Sequence, residues 1–241
     1  MDVLTQCVVG ISLVLFGIYG FIAIMIYFFD RDDKIEAKRK KDIIEYFTSN
    51  GFKYNDFSTT FPNDVRDFKI AHTDKKSYSV NNYITEIYGQ KEGVDITIVD
   101  HTYLESIGRQ RGCYEHTLCL LRNQEIKIPD FYLRNRIFIL DSIKKLFGMK
   151  EIIISEDKEF SKKFVIQGQN EEEIRNFFNS SIRQVFILNQ KRGCEYESKN
   201  NSLMVSKRKY FLYMTAGYLN VKERIELLEN SLKLFNSFKH Q

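Results

Sequence analysis

The sequence predicts an α+β protein, with an N-terminal transmembrane helix followed by a mostly antiparallel sheet packed with two or three helices. Three observations lead to this fold class. Residues 8–29 form an apolar run without a single charge. The rest of the chain places its segments in the order strands, helix, strands, helix, hairpin, helix, a segregated order typical of α+β folds. Turn residues separate neighbouring strand segments, which favours antiparallel hairpins.

The apolar run predicts a membrane span. Its 22 residues, 8–29, would form a helix about 33 Å long, enough to cross a hydrocarbon core of about 30 Å. A cleaved signal peptide is the alternative, but no basic segment precedes the run and no small-residue cleavage site follows it. Residues 1–7 would then be a short extracytoplasmic N-terminus.

Basic residues after the apolar run predict its orientation. Lys and Arg close to a span hold that end in the cytoplasm. The sequence therefore predicts an inner (cytoplasmic) membrane location with a single pass, the N-terminus outside and the remainder inside. A basic juxtamembrane helix at 30–50 would contact the surface of the lipid bilayer through Lys34, Lys38, Arg39, Lys40 and Lys41.

The first half of the predicted soluble domain, 51–241, reads as strands. Segments 78–88 and 94–103 alternate polar and apolar residues on either side of a glycine-bounded loop. Segment 113–121 would extend them into a meander, and 125–133 would add a fourth strand.

The second half mixes helices with short strands. Asn170 followed by three glutamates is a strong helix start, because it combines a capping side chain with acids at the positive end of the helix dipole. The predicted elements are helix 138–147, strands 152–154 and 164–167, helix 170–189, a hairpin of 194–198 with 203–214, and helix 221–238.

Composition excludes some classes of function. At 43% hydrophobic residues the chain is too apolar for a disordered protein, and a net charge of +4 does not favour a nucleic-acid partner. The four cysteines fit reduced thiols in a cytoplasmic domain better than a disulfide framework. No nucleotide-binding, zinc-protease or serine-hydrolase motif occurs, so no cofactor is predicted.

Two constellations invite a chemical interpretation. Cys113, His116 and Cys119 have a spacing that suggests zinc, but on a strand His116 would point away from both cysteines, which favours buried thiols. Asp100 and His101 would likewise point to opposite faces. The sequence therefore predicts no metal site and no catalytic residue.

Arginines supply a candidate ligand site. Arg109 and Arg111 stand between two glycines at a predicted hairpin tip, and Arg134 follows the fourth strand segment. Guanidinium groups match the oxygens of phosphates and carboxylates, so these three residues are candidates for binding a small anion. A solvated turn is the plainer alternative.

Part of the chain resembles a widespread set of uncharacterised bacterial membrane-anchored proteins. The resemblance covers about residues 93–190. Its motifs are P-x-F-x-L-R at 129–134, Phe147-Gly148, F-S-x-x-F-x-I-x-G at 160–168, and I-R-x-x-F at 174–178. It implies a bacterial protein with a membrane segment before the domain, and it implies no activity.

Three functional hypotheses follow. The first is a membrane-anchored, non-catalytic interaction or sensor module with a protein partner. The second is a membrane-tethered effector or enzyme that binds a small anionic ligand. The third is a subunit of a larger membrane assembly, which would form a homo-oligomer. A pocket that gathers arginines and tyrosines would favour the second, whereas a flat apolar sheet face would favour the first.

Overall fold

A computed structural model describes residues 3–58, 63–71, 84–107, 110–136, 151–189, 193–208 and 219–240 of the chain. Within these ranges, the description leaves out the side chains of residues 3–15, 23–26, 28–33, 57–58, 63, 84, 101–115, 208 and 240. The helices are α1 (Val3–Ser49), α2 (Asn63–Arg66), α3 (Lys158–Lys163), α4 (Glu171–Phe177), α5 (Ser180–Leu188) and α6 (Val221–Asn236), with 3-10 turns at Lys69–Ala71 and Ser237–His240. The strands are β1 (Lys53–Ser58), β2 (Ile84–Lys91), β3 (Val94–Ile107), β4 (Gln110–Arg122), β5 (Phe131–Asn135), β6 (Phe164–Gly168), β7 (Cys194–Lys199) and β8 (Ser202–Arg208).

The eight strands form one sheet in the order β1-β2-β3-β4-β8-β7-β5-β6, and every neighbouring pair is antiparallel. This confirms the α+β class and the antiparallel sheet that the segment order predicts. The chain divides between Tyr46 and Phe47 into two compact units. The sheet and the helices after it belong to the second unit.

The transmembrane prediction is overturned. Among the residues that the structure describes, no helix combines the length and the apolar character that a bilayer crossing needs. In α1 the described side chains are those of residues 16–22, Tyr27 and residues 34–49. From Lys34 onward the helix is rich in charge, which a bilayer crossing does not tolerate. On this finding, the predicted span at 8–29, the single pass and the inner-membrane location are wrong.

Two tight hairpins shape the sheet. Glu92 and Gly93 join β2 to β3, and Asn200 and Asn201 join β7 to β8, all four with positive φ. Such a pair of left-handed residues matches the right-handed twist of the strands it connects. The predicted loop at 89–93 is therefore too long, and Gly89 lies inside β2. A Cβ on Gly89 would come within 2.9 Å of the Phe52 ring, so packing explains this glycine.

The predicted helix at 170–189 is two helices. The Asn170 side chain accepts from the backbone N–H of Glu173 and caps α4 as predicted. The chain then breaks after Phe178, and the Asn179 side chain accepts from the N–H of Ile182 at 3.1 Å to begin α5. The final helix begins with a full capping box, in which Asn220 and Glu223 bind each other's backbone N–H groups.

One face of the sheet is covered by helices α3 to α6. Alternation along the strands puts Ile98, Cys119, Val205 and Tyr196 on this face. Between it and the helices lies a continuous aromatic cluster with ring centroids 4.9–6.4 Å apart. Its members are Phe131, Phe160, Phe164, Phe177, Phe178, Phe186, Tyr196, Phe235 and Phe238. Aromatic pairs in such tilted and edge-on arrangements stabilise a core beyond the area that they bury.

The segment 63–71 covers the other face. Its apolar side chains pack on Val99, Leu118, Leu120 and Met204. Polar contacts hold it there as well: the Glu197 carboxylate accepts from the N–H of Ile70 at 2.8 Å. Burial raises the pKa of the Glu197 carboxyl above its ordinary value, although the amides of Lys69 and Ile70 work against that rise. Neither face of the described sheet is the flat, open apolar surface that the first hypothesis foresees.

The strand predicted at 125–133 begins later in the structure and pairs with other strands than predicted. Segment 125–133 does not extend the meander beside β4, because β5 begins only at Phe131 and pairs with β6 and β7. Residues 126 and 128 are buried in the extended connection before it. The predicted helix at 138–147 lies outside the described residues, as do 78–83 and 209–218.

Candidate functional site

The structure does not bring the predicted anion-binding arginines together. Arg109 lies outside the described residues, and of Arg111 only the backbone, in β4, is described. Arg134 is buried in β5 and donates to the carbonyl of Asn135 at 3.2 Å. Through the strand registers Arg134 is level with Leu118, three strands away or about 14 Å, and Arg111 lies about 24 Å further along β4. The backbone positions of Arg111 and Arg134 are therefore too far apart for one small ligand to contact both, whereas the prediction for Arg109 stays a prediction.

The basic residues that the sequence assigns to a membrane surface lie on the C-terminal half of α1. Lys34, Lys38 and Lys41 are exposed, Lys40 is half-buried, and Arg39 donates through Nε to the Glu36 carboxylate at 2.7 Å. The Arg39–Glu36 pair is one turn apart on the helix, where such pairs stabilise it by only a few tenths of a kcal/mol, about 0.2–0.5. The predicted contact of these residues with a membrane surface stays a prediction.

The cysteine and histidine spacing does not form a cluster in the described residues. Cys119 is buried on the helix-covered face, and His116 is buried on the opposite face. The side chain of Cys113 is not described. Within the described ranges no group of three or more His, Cys, Asp and Glu side chains could hold a metal ion. Burial raises the pKa of the Cys119 thiol to about 12, so this thiol is protonated at neutral pH.

A buried ion pair joins α6 to the centre of the sheet. The Arg224 guanidinium binds the Asp100 carboxylate, and both side chains are 1% exposed. Thr117 and Thr85 also donate to this carboxylate, at 2.8 and 3.1 Å. Arg224 further donates to the carbonyl of Leu219 at 3.1 Å. These bonds satisfy both charges, so the pair has a structural role in fixing α6 on the sheet.

Exposed apolar side chains are concentrated on the N-terminal half of α1. They are large residues, each between 49% and 80% exposed: Phe16, Ile18, Tyr19, Phe21, Ile22 and Tyr27. We call them the α1 apolar surface. Elsewhere in the described chain, large side chains with comparable exposure occur singly, as at Leu188 and Ile153. An exposed apolar patch of this kind is typical of surfaces that interact with other proteins, membranes or ligands.

One described opening in the second unit lies between α6, the end of α5 and the β7–β8 hairpin. This cleft contains about 570 Å³ of empty space, part of it open to solvent. Its floor is mainly apolar, and its rim is polar or charged. The lining residues are Asn189, Cys194, Tyr196, Val205, Lys207, Glu223, Glu226, Leu227, Asn230, Ser231 and Leu234.

A second, shallower depression lies at the end of strands β1 to β4. Lys53, Tyr88, Gln90, Asp95 and Arg122 are among its lining residues. The Lys53 ammonium stands 5.9 Å from the Tyr88 ring centroid, and Gln90 donates to Asp95 at 2.6 Å. These groups thus engage one another, and the depression offers no enclosed apolar volume.

Comparisons with protein-family models, with curated proteins and with solved structures gave no match. The resemblance of residues 93–190 to uncharacterised bacterial proteins therefore stays a prediction. The motif residues themselves have structural uses here. Phe131, Phe160 and Phe178 belong to the aromatic cluster, and the carbonyl of Pro129 accepts from the Ser198 hydroxyl.

Sequence reasoning missed both features that stand out in the structure. The cleft is lined by residues of α5, β7, β8 and α6, and no local motif connects these four elements. The apolar residues of α1 were visible as a run. They were interpreted as a membrane span, with a homo-oligomer as one of the alternatives.

Proposed function

We propose that this protein is an interaction module that assembles with further copies of itself through the α1 apolar surface. The observation that supports the proposal is the exposure of six large apolar side chains on one helix, between 49% and 80% each. Water is a poor environment for such a surface. Covering a large apolar side chain contributes about 1.5–3 kcal/mol.

The distribution of these side chains around the helix favours an assembly larger than a dimer. Successive residues turn by about 100° around a helix axis, so Ile18 and Phe21 lie on the side away from Phe16. One neighbouring helix covers only one side. Several copies packed as a bundle cover all of them, as expected for a helix that is apolar on every side.

The energies point the same way. Six partly exposed side chains offer on the order of 10 kcal/mol per helix when they are covered, whereas association costs about 4–15 kcal/mol. Covering one side of the helix alone would use only part of this free energy of burial. The net free energy of association would then be close to zero. The alternative of an effector that binds a small anion relies on Arg111 and Arg134, which the strand registers hold far apart.

Light scattering of the purified full chain after size exclusion tests this proposal. We expect an assembly of defined mass, larger than a dimer, that dissociates on dilution. The double variant Phe16→Ser, Phe21→Ser should weaken association by at least about tenfold, because it removes two large apolar contacts per copy. The matched control is Leu188→Ser with Ile153→Ser, which removes two exposed apolar side chains of the second unit.

Three results would contradict the proposal. One is a monomer at every concentration. Another is a decrease in the mass of the assembly that is equally large in the α1 double variant and in the control. The last is a chain that disperses only in detergent or in phospholipid vesicles, because the α1 apolar surface would then be covered by acyl chains and not by copies of α1. Circular dichroism of both variants excludes loss of helix as the cause of any difference.

A further inference from the structure

The connection between β1 and β2 is far longer than these strands require. They are neighbouring antiparallel strands, which a loop of about two to five residues can join, yet residues 59–83 lie between them. The part of this connection that the structure describes, 63–71, crosses the sheet over β3, β4 and β8 and reaches β7. We call it the strap. Long connections in compact folds are usually either disordered or functional, and the strap is packed on the sheet.

The strap has few buried contacts for its length. Its large buried side chains are Val65, Phe68 and Ile70, which lie on the apolar centre of the sheet. Fixing the backbone of every strap residue costs conformational entropy, and the burial of three large side chains offsets only part of that cost. Segments with few buried contacts open locally while the rest of the protein stays folded. The strap is therefore expected to open without unfolding of the sheet.

Polar contacts fasten the strap to β4 and β7. Asp64 pairs with Arg122, and Lys199 donates to a strap carbonyl at 3.1 Å, both in positions that are at least partly exposed. The Glu197 carboxylate, which accepts from the N–H of Ile70 at 2.8 Å, is only 6% exposed. Among these groups, Glu197 is therefore the one that passes from water into the interior when the strap closes.

The charge of Glu197 is disfavoured while the strap is closed. Burial raises the pKa of its carboxyl, and the strap amides and the charges of Lys69 and Lys199 offset only part of that rise. When the strap opens, water reaches the carboxyl and its pKa returns toward the ordinary value. On the sheet face its titratable neighbours are Tyr132 and Arg134 of β5 and Glu195 of β7, whereas β8 places Met204 opposite it.

We propose that the strap opens and closes over the apolar centre of the sheet, and that a proton on Glu197 favours the closed form. The closed form binds this proton at a higher pH than the open form does, so acidification through the raised pKa stabilises closure. Above that pKa the buried carboxylate is charged, and the strap opens more often. Opening uncovers the apolar side chains beneath the strap, which are Val99, Leu118, Leu120 and Met204.

Hydrogen exchange of the full chain, measured by mass spectrometry, tests the proposal. The exchange rate of peptides covering 63–71, divided by the intrinsic rate at each pH, gives the equilibrium constant for opening. This constant should fall at least about twofold from pH 8 to pH 5, because the closed form binds the proton more tightly. Acid can only weaken the pair of Asp64 with Arg122, which would loosen the strap. A constant that falls less or rises toward pH 5, or a strap that exchanges no faster than 116–122 of β4, overturns the proposal.

Matched variants assign the effect to one carboxyl. Glu197→Gln is neutral at every pH and keeps an oxygen that can accept from Ile70, so its opening constant should not change with pH. Glu86→Gln is the control, because Glu86 is a half-buried carboxyl on the same sheet face that accepts from Asn55 at 3.2 Å. It should keep the pH dependence of the natural chain. A dependence that survives in Glu197→Gln, or that Glu86→Gln abolishes equally, overturns the assignment. Neither variant changes α1, so the mass of the assembly remains an independent readout of the proposed self-association.

Discussion

At the scale of single residues, Gly168 shows how closely the helix-covered face is packed. It ends β6 opposite Phe131. A Cβ at this position would overlap Cδ1 of Ile174 and would come within 2.9 Å of the carbonyl oxygen of Asp130. The carbonyl is part of the backbone and cannot turn aside as a side chain would. The glycine is therefore needed to let the first turn of α4 approach the edge of the sheet.

We expect Gly168→Ala to destabilise the second unit by about 1–3 kcal/mol, the usual cost of an extra carbon in a packed core. Urea unfolding followed by circular dichroism measures the change. The double variant Gly168→Ala, Ile174→Val removes Cδ1 and should lose less stability than the two single variants together, although the contact with Asp130 remains. Strict additivity of the two losses would show that the clash with Ile174 is not the cause.

At the scale of elements, caps and ion pairs link α3 to α5. The Asp157 carboxylate accepts from the N–H of Phe160 at 2.9 Å and so caps α3. Arg183 of α5 donates to the same carboxylate at 2.9 Å and to the carbonyl of Phe178 at 2.7 Å. The Phe160 N–H and the Arg183 charge lower the pKa of the Asp157 carboxyl below its ordinary value.

This lowered pKa predicts a dependence of stability on pH. A carboxyl with a lowered folded-state pKa stabilises the fold above its ordinary pKa, and this contribution disappears as the pH falls through the folded-state value. Asp157→Asn keeps a good cap but loses the charge facing Arg183, so we expect a loss of about 1.5 kcal/mol at pH 7. The loss should shrink as the pH falls below about 4.

Chemical unfolding at several pH values checks this. Glu159→Gln is the control on the same helix, because its pair with Lys163 is exposed and should contribute at most about 0.5 kcal/mol. If the stability lost in Asp157→Asn stayed constant from pH 7 to pH 3, the charge of Asp157 would not be the cause of that loss.

An element could be predicted when the residues that indicate it lie within that element. The Asn170 cap correctly predicted the start of α4, and the spacing of Leu228, Leu232 and Phe235 correctly predicted α6, because each signal lies within a single helix. The break at Asn179 was missed because the apolar spacing continues through Phe178 into α5, although a second capping asparagine was present. Gly89 was interpreted as a turn residue. The structure explains the glycine instead by the Phe52 ring that packs against the strand, and a tertiary contact of this kind leaves no local signal in the sequence.

At the scale of the whole molecule, contacts between residues far apart in the sequence determine features that local sequence patterns do not predict. The position of β5 between β7 and β6 depends on pairing across more than 60 residues, and turn residues give no signal for that pairing. The cleft has the same origin, since Lys207 and Glu226 belong to separate elements. The predicted arginine site joins residues from neighbouring segments of the sequence, but Arg111 in β4 and Arg134 in β5 belong to strands that are not neighbours in the sheet.

The contact that most clearly fixes the whole second unit is the ion pair between Asp100 and Arg224, 124 residues apart in the chain. Arg224→Met leaves the Asp100 carboxylate buried without its counter-charge, and we expect a loss of about 3–5 kcal/mol in the free energy of unfolding. Adding Asp100→Asn should recover most of that loss, because the remaining group is neutral and Thr117 can still donate to it. Arg175→Met, which breaks an exposed pair with Glu171, should cost at most about 0.5 kcal/mol. If urea unfolding instead shows an equally small loss of stability in Arg224→Met and Arg175→Met, the buried ion pair does not hold α6 on the sheet. The apolar contacts of α6 would then hold it alone.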